Sequence, residues 1–184
     1  MMRVAFAIPL ALLAACGGPE TSQANNGQAN ISNNASSPAT ANAMVLLMTT
    51  RVTGAKAAAI MHERHEGMET IGKANKALHH EVDSASPDLA VVRASAARIA
   101  ALSKKASGWF PEGTGPEVGK TGAKPEIWQD PHDFAAKLAA FQKAVLVFNS
   151  VAAGNDGNAV KAAWPNLGKT CTACHDKYRS EMHH

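Results

Sequence analysis

The sequence predicts an all-α protein, an antiparallel four-helix bundle, and three observations predict it. Apolar residues recur at spacings of three and four in four separate stretches between residues 56 and 178. Ser86-Pro87, Asp130-Pro131 and the turn Gly154-Asn155-Asp156-Gly157 punctuate those stretches as helix starts and a tight connection. No convincing run of alternating apolar and polar residues competes with the helical period. The chain of 184 residues suits one domain. Its net charge of +3 is too mild to mark nucleic-acid binding. Three cysteines are odd in number and too few for a disulfide scaffold. Five Phe, three Trp and one Tyr are few aromatic residues for a core, so another large apolar body is expected inside.

In chain order, residues 1–15 read as a signal peptide. Arg3 gives a positive start, and the apolar run at 4–13 falls short of the roughly 20 residues a membrane span needs. Leu13-Ala14-Ala15-Cys16 resembles the bacterial lipoprotein box, in which the cysteine thiol takes a diacylglycerol and the chain is cut before it. Several acyl chains, at about 0.8 kcal/mol per buried methylene, make a stable membrane anchor. The plainer alternative is an ordinary signal peptide with an incidental cysteine. Gly17 stands where an aspartate signals inner-membrane retention in some bacteria, which favours the outer membrane. Residues 16–43, rich in Asn, Ser, Ala, Gln and Thr, are expected to form a disordered tether spanning about 30 Å. The folded domain is expected over 44–184. Its first apolar run, residues 44–48, reads equally as a docking strand, a frayed helical turn or a strap.

The first helical stripe is Ala57, Ile60, Arg64, Met68, Ile71, Asn75 and Leu78, apolar except for Arg64 and Asn75. The second starts at Ser86-Pro87 and carries Leu89, Val92, Ala96, Ile99 and Leu102. The third starts at Asp130-Pro131 and carries Phe134, Leu138, Phe141, Val145, Phe148 and Ala152. The fourth carries Val160, Trp164, Leu167, Cys171, Cys174 and Tyr178. Pro165 is expected to kink this helix or to restart it, because it removes a hydrogen bond and crowds the carbonyl of Lys161. Residues 107–129 form a long connection holding Trp109, Phe110 and Trp128. A loop of that length is usually functional or packed over something.

Cys171-Thr172-Ala173-Cys174-His175 is C-x-x-C-H, the c-type haem attachment motif. On a helix the three residues lie within one turn, so two thiols reach the haem vinyl groups while the imidazole reaches the iron. A thioredoxin-like reading wants a βαβ context, and zinc wants further cysteines or spaced histidines. Neither is present, so one covalent haem c is the expected cofactor. The exposed-looking histidines His62, His65, His79 and His80 read as a solvated helix face rather than a second metal site.

A C-terminal haem motif on the last of four helices resembles the cytochrome c prime family. The residues that carry the resemblance are the stretch from Arg64 through Met68 to Gly72, the loop ending Lys124-Pro125-Glu126-Ile127-Trp128, and C-T-A-C-H-D-K-Y-R itself. The resemblance implies Cys171 and Cys174 as thioether anchors and His175 as the proximal iron ligand. It places Arg179 near the proximal side of the haem, where a propionate is in reach; a solvent-facing cation is the alternative. Arg64 sits at a seam position where a charge needs a partner, and a haem propionate is the natural one; a surface arginine that snorkels to solvent is the alternative. Phe110, with Trp109 and the phenylalanines of the third stripe, is a candidate to pack against the porphyrin, with plain core packing as the alternative. Met68 falls at the family's distal position, where methionine either closes the sixth iron position or simply fills core.

The expected function is a periplasmic, lipid-anchored monohaem cytochrome that carries single electrons between redox partner proteins, with His175 proximal and Met68 distal. The alternative is a five-coordinate haem protein binding NO or CO as sensor or scavenger. No distal acid–base pair argues for an enzyme. Family members are often homodimers through the first two helices, and Ala94, Ser95, Ala97 and Ala101 would permit such an approach.

Overall fold

Four long helices, as expected, carry a computed structural model that describes residues 38–181. The expected signal peptide, Cys16, the tether as far as residue 37, and His183 and His184 lie outside the described residues. A shorter helix precedes the four: α1, Pro38–Thr49. It begins within the stretch expected to be tether and settles the open question about residues 44–48. Met44 and Met48, one turn apart, bury against the core while Leu46 and Leu47 face solvent. One such stripe is enough to hold a helix whose unbroken apolar run hides its periodicity. α1 packs mainly on the third long helix.

α2 (Gly54–Asp83) is the first long helix, and it buries Ala57, Arg64, Gly67, Ile71 and Leu78. α3 (Leu89–Lys105) starts later than the Ser86-Pro87 signal predicts. Asp88 is its N-cap, and the carboxylate accepts from the amides of Ala90 at 2.8 Å and Val91 at 3.3 Å. That bond to two orphan amides outcompetes a cap by Ser86, whose own amide is engaged by the Ser84 hydroxyl. α4 (Glu126–Gln129) is a single turn at the end of the long connection. α5 (Pro131–Ala152) starts where Asp130-Pro131 predicts, with the Asp130 side chain accepting from the Asp133 amide. α6 (Gly157–Tyr178) follows the predicted turn, capped by Asp156. It runs through Pro165 rather than restarting there.

Three sides of the bundle close tightly, α2 on α3, α3 on α5 and α5 on α6; the fourth side, α2 facing α6, is the loosest. Phe148, Val145, Leu138, Ile99, Val92 and Leu78 fill the middle. Among the described residues the only β-type pairing is an isolated bridge between Ala123 and Arg179.

Candidate functional site at the loose side of the bundle

α2 and α6 run antiparallel, and one contact sets their relative level. The ring of His79 meets that of Trp164 edge-on at 6.2 Å, and the Lys161 ammonium donates to the Ser84 carbonyl just past the end of α2. From His79 back to Met68 is eleven residues, and from Trp164 on to His175 is eleven residues as well. Each step is about three turns, about 16 Å along its helix, and within about 20° of the starting face. Met68 and His175 therefore come to the same level on facing sides of the loose edge. Met68, Cys171 and Cys174 are all half-buried against the core.

Burial shapes the chemistry of the motif. The thiols of Cys171 and Cys174 are free, and desolvation raises both, that of Cys174 to about 11. His175 keeps an accessible edge, yet surrounding protein and the Arg179 guanidinium push its imidazolium down. Its ring is thus held in the neutral form that ligates metal. Arg179 is exposed, and its amide donates to the His175 carbonyl at 3.0 Å.

Arg64 lies one turn before Met68 and is 4% exposed. Its guanidinium serves the long connection: Nη1 donates to the Trp109 carbonyl at 3.0 Å and the Thr114 hydroxyl at 3.2 Å. Nη2 donates to the Thr114 carbonyl at 2.8 Å and the Thr121 hydroxyl at 2.9 Å. Burial lowers its pKa to about 10, with Glu117 opposing the shift. Phe110 packs under the guanidinium at 5.1 Å and edge-on to Phe134 at 4.7 Å. Phe134 in turn meets Tyr178 at 5.1 Å. These rings form one aromatic chain running from Arg64 to the end of α6.

The Trp109 ring lies so close to α2 that a Cβ on Gly67 would come within 2.3 Å of it. Gly67 is thus a packing requirement next to Met68. The Trp109 Nε1 is the one buried side-chain polar atom without a partner among the described residues. A buried orphan donor, two free thiols and a neutral imidazole on one helical turn together fit a covalently bound haem with its carboxylates. Sequence reading missed the partners of Arg64, Thr114 and Thr121, and the clamp on the end of α6. There the Tyr178 hydroxyl donates to Asp133 at 2.6 Å, and the Lys177 ammonium donates to Asp130 and Asp133 at 2.9 Å each. The Asp130-Pro131 cap signal and the place of Tyr178 on the fourth stripe pointed toward that corner without pairing the two.

A family model described as Cytochrome C' matches residues 59–179. A cytochrome c' from Alcaligenes xylosoxydans xylosoxydans is 36% identical over 94 residues, 51% of this chain and 71% of that protein. A solved cytochrome c' described by an unusual ligand-controlled dimer dissociation is 29% identical with a TM-score of 0.63, over 70% of this chain and 100% of its own. The nitric oxide complex of a variant cytochrome c prime from Alcaligenes xylosoxidans is 27% identical with a TM-score of 0.61, over 71% and 100%. A family match spanning all four long helices, on a bundle whose loose side carries C-x-x-C-H, means that the chain belongs to the cytochrome c' family, as a monohaem c-type cytochrome with one covalent haem c.

Proposed function

We propose that this cytochrome is a one-electron carrier in which Cys171 and Cys174 form the haem thioethers, His175 is the proximal ligand and Met68 the distal one. The observation that carries the reading is the shared level of Met68 and His175 on facing sides of the loose edge, set by the His79–Trp164 contact. The haem, when bound, supplies the redox centre. A Met68 thioether favours the ferrous state and raises the potential. The side chain is half-buried on α2, where Gly67 and Trp109 hold its backbone against the loop. Arg64 keeps that loop in place, and Arg179 holds positive charge beside His175.

The proposed setting is the periplasm, reached through the signal peptide at 1–15, with Cys16 lipid-anchored in the outer membrane and soluble redox proteins as partners. A one-electron carrier needs no acid–base pair, and a thioether at the distal position offers none. The test is the ferric absorption spectrum of the holoprotein. A low-spin spectrum with a sulfur-to-iron charge-transfer band is expected, and Met68→Leu abolishes the band. A high-spin ferric spectrum in the unsubstituted protein sinks Met68 ligation.

A second reading is favoured by one finding, the nitric oxide complex of a relative's variant. In it, Met68 lines an open distal face and the protein binds NO or CO. The same spectrum, repeated with and without CO, separates the two readings. A homodimer through α2 and α3 is compatible with either, and the dimer dissociation described for a solved relative is ligand-controlled.

A further inference from the structure

The segment 109–124 touches both helices that border the loose side. On the α2 side it is gathered by Arg64, through the carbonyls of Trp109 and Thr114 and the hydroxyls of Thr114 and Thr121. On the α6 side the Lys124 amide donates to the Tyr178 carbonyl at 3.0 Å, and the Ser180 amide donates to the Gly122 carbonyl at 2.9 Å. These bonds flank the bridge between Ala123 and Arg179. Along the chain, the Thr121 hydroxyl is the Arg64 contact nearest the α6 attachment. Thr121 Oγ1 accepts from Arg64 Nη2 at 2.9 Å and from the Ala123 amide at 3.2 Å. The second bond closes a local turn onto Ala123, the residue whose backbone bridges Arg179 at the end of α6.

Arg64 is one turn before Met68, and Arg179 is one turn after His175. α2 and α6 make little direct contact compared with the other neighbouring pairs. Few direct contacts therefore fix their separation, and the polar strap bridges them at this end. We propose that Thr121 is a positioning residue: its hydroxyl holds α2 and α6 at a set separation at the level of Met68 and His175, and so sets how closely Met68 approaches the distal face of the iron. The proposal rests on the reading that Met68 faces His175, whether or not Met68 ligates.

The experiment measures CO association with the ferrous holoprotein. Thr121→Val keeps the shape and deletes the acceptor. It is expected to speed association about fivefold, by letting α2 drift from the haem. Thr121→Ser, which retains the hydroxyl, is expected to stay within about twofold of the unsubstituted protein. In a Met68→Ala background Thr121→Val is expected to add nothing, because the side chain it positions is gone. Thr121→Ala provides a second deletion of the acceptor should the valine disturb folding. An unchanged rate in both deletions overturns the proposal, and so does an equal acceleration with Met68 absent. The ferric spectrum of the unsubstituted protein tests ligation separately: a high-spin result defeats the Met68 ligand while the CO rates still decide the role of Thr121.

Discussion

The two ends of the bundle are held by different physics. At the end where α2 finishes and α6 begins, apolar side chains do the holding: Phe148 meets Trp164 edge-on at 5.8 Å, and Leu78, Val145 and Val160 are fully buried beside them. At the end where α2 begins and α6 finishes, a network of buried and clamping hydrogen bonds is added to the aromatic packing of Phe110, Phe134 and Tyr178. Arg64, Thr114 and Thr121 gather the strap, and Asp133 and Asp130 clamp Tyr178 and Lys177. Apolar packing is dense and indifferent to small rotations, while hydrogen bonds fix direction. The difference teaches that the haem end trades tight helix contact for oriented polar ties, leaving one edge available to a large cofactor.

The largest expected effect tests the apolar end. Phe148→Ala should cost about 4 kcal/mol in denaturant unfolding, from lost burial plus the cavity left behind. The haem absorption spectrum should not change. A spectral change would mean that the two ends are mechanically coupled and would break the contrast.

Arg64→Met probes the polar end. It removes the donors to the Trp109 and Thr114 carbonyls but also relieves a buried cation, so a loss of about 2 kcal/mol is expected. Here the spectrum should change as well, because the strap beside Met68 loosens. Loss of stability with an unaltered spectrum would show that the strap does not govern the haem environment.

The smallest effect is a pH dependence. The Tyr178 hydroxyl, followed by the Lys177 ammonium, holds the Asp133 carboxyl below its ordinary value. A carboxyl depressed in the folded state stabilises fully above its unfolded value of about 4. That contribution disappears as pH falls through the lower folded value. Asp133→Asn should therefore be less stable than the unsubstituted protein at neutral pH, and the gap should close on acidification. A gap independent of pH would assign the loss to packing at Tyr178 instead of to the charge.

Much of this was legible in the chain before folding was considered. The stripes of α2, α5 and α6 appear at the positions read from their spacing, because a single helix converts a 3.6-residue period into one buried face. Asp130-Pro131 announced α5, since the cap and the fixed φ of proline act locally. α1 escaped because residues 44–48 are apolar throughout, so the stripe of two methionines shows no period, and the start of α3 slipped because Ser86 and Asp88 are both competent caps.

The sequence by itself determined the haem chemistry. Cys171, Cys174 and His175 lie within one turn of any helix that contains them, whatever packs around it, and C-x-x-C-H needs nothing more. Only the tertiary structure decided which side of the bundle stays loose, what the buried Arg64 holds, and that the long connection reaches both α2 and the end of α6. The bonds from Arg64 join residues 45 to 57 apart in the chain. No periodicity links positions so far apart, because their meeting depends on how four helices assemble and how the long connection returns across them.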